Sequence, residues 1–406
     1  MKIQQIKGGV TTPKGFTASG IHCGLRKNKS KRDLALLFAE KSCNAAAAYT
    51  QNKVKGAPIL VTQQHLANGT ARAVICNSGN ANTCNADGEE KAAQMCQLAA
   101  NALHIAPEDV IVASTGVIGQ VLPITPIRDH IGELAAQLSV DGGDAAEEAI
   151  MTTDTRPKQV AVAFELGGKT CYVGGMAKGS GMIHPNMATM LCFVTTDVDI
   201  DTALLHKALL AGVEKSFNMV TVDGDTSTND MVSVLASGLA GNPSITTENA
   251  DYAHFTEALE TVLVSLARQV AGDGEGATKL LECLVEGAAD VQTARTVAKS
   301  VIGSSLVKTA MFGADANWGR VLCAIGYAPA EVDVTKVDVT FSSHTGIVEV
   351  CRGGAGIPFS EETAAAVLKQ DEIDILIHLH TGEASATAWG CDLTYDYVKI
   401  NGDYRT

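Results

Sequence analysis

The 406-residue sequence has no closely spaced cysteine pairs and relatively few basic residues. Its eleven cysteines are scattered and no two are spaced as C-x-x-C, which argues against both a disulfide framework and a zinc knuckle. Lys and Arg number 31 against 45 Asp and Glu, and the net charge of -14 would repel nucleic acids and anionic lipids. We therefore expect a reduced protein with no nucleic-acid partner and no membrane partner.

The sequence also lacks a secretory signal and a long hydrophobic run. Its N-terminal segment carries Lys2, Lys7 and Lys14 but no apolar core of roughly 7–15 residues, and no run of about 18 apolar residues follows. We expect a cytoplasmic protein. Hydrophobic residues make up 46% of the chain, so a large core can form, and at about 150 residues per domain the length predicts two or three compact domains.

Short apolar runs alternate with amphipathic stretches, which favours a mixed α/β fold. The apolar spacing predicts helices over 92–103, 201–217 and 250–270, the first with a polar start at 85–88 that could cap it. Gly167 and Gly168 predict a hairpin between strands 159–166 and 170–177. Further strands are predicted over 71–79, 108–116, 336–351, 372–382, 385–391 and 395–402, with a helix over 361–369.

Three motifs resemble ligand-binding loops, but each fails a requirement. Residues 168–170 imitate the end of a phosphate-binding loop, yet Ala163 stands where its first glycine belongs and a hairpin is the wrong context. The acidic run 223–230 resembles a calcium loop, but Thr228 occupies its glycine position, which favours an acidic turn capping a helix. The glycine cluster 272–276 follows a helical stretch, whereas a dinucleotide site follows a strand.

The sequence contains no G-x-S-x-G elbow, no H-E-x-x-H motif and no Cys/His cluster with metal-ligand spacing. His378 and His380 would share one face of a predicted strand, but no carboxylate cluster accompanies them. Paired or surface histidines are therefore favoured over metal ligands. We expect neither a metal nor a cofactor.

The segment 178–197 is a glycine- and proline-containing loop that leads into a strongly apolar strand at Thr189. The hydroxyl of Thr189 would thus lie at a loop-to-strand junction. Because threonine is common in strands, spacing alone favours a structural role over a nucleophilic one.

The string MIHPNMATML at 182–191 resembles the self-cleavage segment of the ornithine acetyltransferases, also called glutamate N-acetyltransferases. Other strings agree with this family in the same order along nearly the whole chain: STGVIG (114–119), MTTDTRPK (151–158), KGSGMI (178–183), DGEGATK (273–279), GADANWGR (313–320) and YVKINGDYRT (397–406). His184 departs from the small residue expected at its position. It precedes the matching cleavage bond, where it could tune the cleavage rate, although a difference in packing is favoured.

The resemblance implies an αββα sandwich with a second, smaller α/β domain. It also implies that the chain cuts itself between Ala188 and Thr189 into fragments 1–188 and 189–406. Cleavage would give Thr189 an α-amino group with an ordinary pKa of ~7.7–8.0, which can accept the hydroxyl proton near neutral pH. Thr189 would then attack an acetyl carbonyl, form an acetyl-enzyme and pass the acetyl group to a second amine.

The resemblance assigns Thr115 and Gly116 to an oxyanion hole, although the same residues would also suit an ordinary turn. It assigns six residues to substrate binding: Thr152, Lys178, Thr189, Glu275, Asn401 and Thr406. We hypothesise that Lys178 faces a substrate carboxylate and that Glu275 faces an ammonium group. Without the resemblance, both charged residues would be interpreted as parts of a solvated surface.

The implied activity is transfer of acetyl from N-acetylornithine to glutamate in arginine biosynthesis, by an assembly of two α and two β fragments. Whether acetyl-CoA is also a donor is left open. A self-cleaving aminopeptidase or amidase of the same wider fold is one alternative, in which water replaces glutamate as acceptor. A non-catalytic binding protein is another, for which Thr189→Ala would change neither chain length nor ligand binding.

Overall fold

The computed structural model describes residues 2–184 and 190–403, and in these residues the chain forms sixteen strands and eleven α-helices. The strands are β1 (Gln4–Ile6), β2 (Phe16–Ile21), β3 (Leu34–Tyr49), β4 (Thr70–Asn77), β5 (Val110–Ser114), β6 (Gln159–Leu166), β7 (Lys169–Lys178), β8 (Leu191–Thr196), β9 (Val220–Thr221), β10 (Met231–Ala236), β11 (Leu280–Ala288), β12 (Asp338–Ser343), β13 (Gly346–Arg352), β14 (Ala355–Gly356), β15 (Glu372–His378) and β16 (Ala384–Cys391). The helices are α1 (Ala57–His65), α2 (Gly88–Leu103), α3 (Ile124–Ala136), α4 (Gly143–Ile150), α5 (Thr202–Lys215), α6 (Ala250–Gly272), α7 (Val291–Gly303), α8 (Ser305–Phe312), α9 (Trp318–Gly326), α10 (Glu361–Leu368) and α11 (Tyr395–Asp403).

The first sheet has nine strands, in the order β1-β6-β7-β8-β10-β3-β4-β5, with β2 also paired to β3. It is mixed, because β8 runs parallel to β10 and β4 parallel to β5, whereas β7 is antiparallel to β8. Every residue of β8 and β10 is buried. Burial along the whole strand is typical of strands covered on both faces, so this pair lies in the interior of the protein.

The second sheet has seven strands, in the order β14-β13-β12-β15-β11-β16-β9. Helix α6 packs against β6 and β7 of the first sheet and against β11 and β16 of the second. Its buried side chains recur every three or four residues, as in Phe255, Leu259, Val262 and Leu266. They belong to one continuous core that extends through both sheets. None of the described helices has the length and apolarity required to cross a membrane.

The structure confirms the layered α/β fold. The predicted hairpin is β6–β7, and the predicted helices correspond to α2, α5, α6 and α10. The late strands form a mixed sheet, as expected, because β11 is parallel to β15 while β12 is antiparallel to it. Asp87 occupies the N-cap of α2, but its side chain accepts no capping hydrogen bond.

The prediction of a strand over 395–402 is wrong, because these residues form α11. Their alternating aromatic and polar residues resemble a strand, but Tyr395 and Val398 are 84% and 70% exposed, so the alternation does not mark a buried sheet face. At the start of α11, the amide of Asp396 donates a hydrogen bond to Thr394 Oγ1 at 3.2 Å. Side chain-to-backbone bonds of this kind compete with extended structure.

The prediction that the acidic run 223–230 caps a helix is also wrong. This run connects β9 to β10 and leads directly into a strand. The Asp223 carboxylate accepts hydrogen bonds from the amides of Met182 and Ile183, at 2.6 and 2.9 Å. The acidic residue therefore fixes the chain that follows β7 and does not serve a helix terminus.

Candidate active site

Six of the site residues predicted from the sequence line one cavity of about 110 Å³. They are Thr115, Gly116, Thr152, Lys178, Glu275 and Asn401. The cavity is also lined by Met190 and Leu191. These are the first described residues after residue 184, and Leu191 begins β8. Ala188 and Thr189 of the predicted cleavage bond, and the C-terminal Thr406, lie outside the described residues.

Thr115 and Gly116 form a turn directly after β5. The Thr115 amide donates to Asn77 O at 2.9 Å, so the donors that remain at this turn are the Thr115 hydroxyl and the Gly116 amide. Gly116 has φ +127°, and a Cβ there would lie 2.8 Å from Asn80 N. Only glycine fits this backbone without strain, and the turn can therefore present its amide to the cavity.

Neutral side-chain amides hold this turn in place. Asn77 Nδ2 donates to Ser114 Oγ at 2.8 Å, and Asn229 Nδ2 donates to the carbonyl oxygens of Ser114 and Ala81 at 2.9 and 2.6 Å. Asn229 Oδ1 in turn accepts from the Thr83 hydroxyl at 2.6 Å. Both asparagines are buried, so these bonds are shielded from water. We call this set of Asn77, Ser114 and Asn229 the amide wall.

A second cluster, which is ionic, bonds to the backbone beside other residues that line the cavity. The Nζ atom of Lys158, whose side chain is 1% exposed, lies 2.7 Å from Asp154 Oδ1 and 2.6 Å from Asp273 Oδ2. Glu147 Oε1 accepts from the Lys158 amide at 2.8 Å. Burial alone would raise the pKa of Asp154, but the ammonium groups of Lys178 and Lys158 outweigh it and hold that pKa well below its usual range. We call Glu147, Asp154, Lys158 and Asp273 the ionic wall.

The ionic wall fixes the backbone of three predicted site residues. Asp154 accepts from the amide of Thr152 at 2.8 Å and from that of Gly179, the residue after Lys178, at 2.7 Å. The Ser180 hydroxyl donates to Asp273 O at 2.7 Å, and the Glu275 amide donates to Ser180 O at 3.0 Å. One buried cluster thus aligns Thr152, Lys178 and Glu275.

Lys178 and Glu275 supply opposite charges to the cavity. Lys178 is 7% exposed at the end of β7. Glu275 Oε2 accepts from Asn401 Nδ2 at 2.8 Å, and the Thr394 hydroxyl donates to Gly276 O at 2.6 Å. These bonds fasten α11 to the glycine loop 272–276. The C-terminal segment is therefore attached to the site through a helix, where the sequence suggested a strand.

His184 packs where the described chain leaves the cavity. Its Nδ1 lies 3.0 Å from Thr221 Oγ1, and its carbonyl oxygen accepts from the Thr226 hydroxyl at 2.8 Å. Burial, reinforced by the Lys299 ammonium, lowers the pKa of His184 to about 4. The imidazole is consequently neutral at physiological pH.

The sequence model of the ArgJ family matches residues 17–406. The chain belongs to the ArgJ family. It is 54% identical to the arginine biosynthesis bifunctional protein ArgJ of Symbiobacterium thermophilum over 406 residues, which cover both chains completely. It is 50% identical over 392 residues to ArgJ 1 of Clostridium acetobutylicum, with 96% of each chain covered. The crystal structure of an ArgJ protein from Bacillus halodurans is 51% identical, with a TM-score of 0.49, and covers 52% of this chain and 98% of that chain.

The sequence reasoning missed the supporting residues of this ArgJ site. Asn77 and Asn229 lie in segments that were interpreted only as a strand-ending turn and an acidic loop. The ionic wall joins residues more than 100 positions apart, since Lys158 meets Asp273. A turn-forming asparagine after an apolar strand was the one available local signal, and it did not reveal which carbonyl groups the amide would bind.

The histidines considered as metal ligands form a pair, as the sequence favoured, and one of them also contacts an acid. His380 Nε2 lies 2.7 Å from Asp338 Oδ2, and the rings of His378 and His380 are 3.9 Å apart. His380 follows β15 with φ 53°, so the two side chains do not alternate along one strand face as predicted. Across residues 2–184 and 190–403, no three His, Cys, Asp or Glu side chains cluster in a way that could hold a metal.

Proposed function

We propose that this ArgJ family chain is a self-processing acetyltransferase that moves acetyl from N-acetylornithine to glutamate in arginine biosynthesis. The observation that carries the proposal is the convergence of the oxyanion turn, Lys178 and Glu275 on one cavity that is also lined by Met190, the residue after Thr189 in the sequence. The names of the curated relatives, which refer to arginine biosynthesis, support it.

Cleavage before Thr189 creates the catalyst, because it frees an α-amino group next to the threonine hydroxyl. The amine accepts the hydroxyl proton while the oxygen bonds to the acetyl carbon of the donor. Negative charge then develops on the carbonyl oxygen, and the Thr115 hydroxyl and Gly116 amide stabilise it. Such a donor contributes about 2.7–4 kcal/mol in one measured hydrolase. When the C–N bond of the donor breaks, the proton passes to the departing amine of ornithine, and glutamate accepts the acetyl group in the second half of the cycle.

The charges of the cavity suit an amino-acid substrate. The buried Lys178 ammonium can pair with a substrate carboxylate in a medium where charge-assisted hydrogen bonds are strong. Glu275 offers its carboxylate to an ammonium group while Asn401 holds one of its oxygens. Thr152 adds a hydroxyl whose backbone is fixed by Asp154. Thr406 would complete the site if the tail beyond α11 returns to the cavity.

The two fragments would remain together after cleavage. β7 precedes the cut and pairs with β8, which follows it, and β10 of the second fragment pairs with β3 of the first. Cutting the bond between residues 188 and 189 therefore leaves both of these strand pairings in place. Fragment 1–188 carries 18 basic and 15 acidic residues and fragment 189–406 carries 13 and 30, so opposite net charges add to their attraction.

Three finer features belong to the same proposal. The assembly contains two copies of each fragment. Acetyl-CoA serves as a second acetyl donor, which would suit the word bifunctional in the names of the relatives. The protein acts in the cytoplasm, a location that suits its eleven unpaired cysteines. Native mass spectrometry and an assay with acetyl-CoA and glutamate test the first two features.

The central experiment follows both cleavage and transfer. Purified protein is analysed by intact mass and N-terminal sequencing, and is then incubated with N-acetylornithine with and without glutamate. We expect a fragment that begins at Thr189 and acetylglutamate formation only when glutamate is present. Thr189→Ala should stay uncut and inactive, whereas Thr335→Ala, at an exposed turn, should behave as the unaltered protein.

Two results would contradict the proposal. An intact 42.2 kDa chain with full transferase activity would exclude the N-terminal nucleophile. Equal rates of acetate release with and without glutamate would indicate water as the acceptor, and hence the amidase alternative.

A further inference from the structure

Asp230 places a buried carboxyl group in the lining of the same cavity. It belongs to neither the amide wall nor the ionic wall, and it is not among the proposed substrate-binding residues. The residue is 2% exposed and lines the cavity, and its Oδ2 atom has no hydrogen-bond partner. Its backbone is fixed on both sides, because Asp230 O accepts from the Thr50 amide at 3.0 Å and the next amide, that of Met231, donates to Met190 O at 2.9 Å. The carboxyl group therefore has a defined position.

A buried carboxylate oxygen without a donor is energetically unfavourable. Burial raises the pKa of Asp230, while the Ser227 hydroxyl and the Lys178 ammonium oppose this rise. Among the described residues that line the cavity, the other charged groups are Lys178 at the end of β7 and Glu275 in the loop after α6. Glu275 cannot donate as a carboxylate, and Lys178 makes no hydrogen bond to Oδ2. A donor or a cation of the working enzyme would satisfy this oxygen.

Sheet register indicates which donor this is. β10 runs parallel to β8 with Met231 opposite Leu191, and the Met231 amide donates to Met190 O, so Asp230 and Met190 are the residues just before this strand pair begins. Met190 is the residue after Thr189. Cleavage before Thr189 would create a new amino terminus one residue along the chain from Met190, which lines the same cavity as Asp230. A substrate amine, by contrast, already has Glu275 as a carboxylate partner in the proposed binding mode.

We propose that Asp230 is a positioning residue that holds the α-amino group of Thr189 after self-cleavage. This inference rests on the proposed function. The amine takes the proton of the Thr189 hydroxyl as the hydroxyl oxygen bonds to the acetyl carbon, and Asp230 Oδ2 accepts a hydrogen bond from the resulting ammonium. The proton then leaves with the donor's amine as its C–N bond breaks. Asp230 thus acts on the base as the aspartate of a Ser-His-Asp triad acts on its histidine.

The test compares Asp230→Asn with the conservative Asp230→Glu and with Asp225→Asn, an exposed carboxylate of the same loop that does not line the cavity. Cleavage is measured by intact mass. Acetylation of Thr189 is then timed by rapid quench between about pH 6 and 9 with two donors. One is N-acetylornithine, and the other is p-nitrophenyl acetate, which has no amine. Thr189→Ala gives the background hydrolysis.

We expect Asp230→Asn to cleave, which also shows that it folds, and to be acetylated at least about tenfold more slowly with both donors. The acid limb of its pH profile should move to lower pH, because an ammonium without a carboxylate partner has a lower pKa. Asp230→Glu should recover part of the rate. Asp225→Asn should stay within about twofold of the unaltered protein, since it leaves the cavity unchanged.

Four results would overturn the inference. A rate loss with N-acetylornithine but not with p-nitrophenyl acetate would place Asp230 against the substrate amine. An unshifted acid limb would leave only a structural role, and a chain that stays uncut would place Asp230 in maturation. If the unaltered protein is never acetylated at Thr189, the proposed function itself fails. If the unaltered protein is acetylated at Thr189 and Asp230→Asn is acetylated equally fast, this inference alone is contradicted.

Discussion

The amide wall and the ionic wall hold different lining residues of one cavity with different chemistry. The amide wall contains neutral hydrogen bonds, such as that from Asn229 Nδ2 to Ser114 O. The ionic wall places Lys158 between two carboxylates in the protein interior. Neutral donors hold the turn where an oxyanion would develop. The ion cluster instead fixes the backbone beside the charged residues Lys178 and Glu275. The comparison teaches that transition-state binding and substrate binding are supported separately here.

Removing the centre of the ionic wall should have the largest effect. Lys158→Met keeps most of the volume but leaves Asp154 and Asp273 buried without their shared cation. We expect the free energy of unfolding to fall by about 3–5 kcal/mol, measured by urea denaturation at neutral pH. Lys207→Met is the matched control, because its pair with Glu248 is more than half exposed and solvent screening should leave it contributing little to stability. Equal losses in both variants would contradict the assignment of a buried ion cluster.

A change at the oxyanion turn should act on turnover more than on substrate affinity. In Gly116→Ala the new Cβ meets the backbone at Asn80 and Gly79, so the turn must shift. We expect kcat to fall by ~10²-fold with little change in KM, as for loss of an oxyanion donor, and the free energy of unfolding to fall by about 1–3 kcal/mol. Gly119→Ala has a positive φ in the same loop but open space around its Cβ, and it should keep its activity. A Gly116→Ala variant with normal kcat would remove the turn from catalysis.

The ionic wall should make stability depend on pH, and the amide wall should not. Burial raises the pKa of Glu147 from 4.5 to about 7, against the opposing effect of Lys158. A carboxyl group with a raised pKa contributes its full stability below about pH 4.5 and loses it as the pH rises through about 7. Between pH 5 and pH 8 we expect the free energy of unfolding of the unaltered protein to fall by about 1–3 kcal/mol from this cause. Glu147→Gln should not show this fall.

Urea titrations at those two pH values measure the contribution. Glu133→Gln, on the exposed face of α3, should retain the decline seen in the unaltered protein. A decline of the same size in Glu147→Gln would assign the pH dependence to another group.

The smallest effect is expected at the exposed edge of the site, where Asn401 bonds to Glu275. Asn401→Ala removes the hydrogen bond to Glu275 Oε2 but lies on the exposed helix α11. We expect KM for N-acetylornithine to rise about 3- to 10-fold and the free energy of unfolding to change by less than ~1 kcal/mol. Asn101→Ala, on the surface of α2, is the control for loss of an exposed amide. An unchanged KM would mean that Glu275 keeps its position without Asn401.

Local patterns predicted the elements whose periodicity coincides with burial. The helix over 250–270 was predictable because its apolar residues recur every three or four positions and meet both sheets as α6. The hairpin of β6 and β7 was predictable from its two glycines, both with positive φ in the structure. The pattern failed at α11, whose alternation does not face any sheet, and at 223–230, whose acidic residues bind the backbone of a distant loop.

The sequence by itself determined the layered α/β fold and, through its resemblance to one family, the identity of the candidate site residues. Only the tertiary structure decided what holds them, since Asn229 reaches Ser114 and Lys158 reaches Asp273 across more than 100 residues. It also brought Asp230 and Met190 into the lining of one cavity, which no spacing in the sequence indicates. The physical reason is that hydropathy patterns report burial along one element, whereas a site depends on which buried polar groups from different elements meet and satisfy one another.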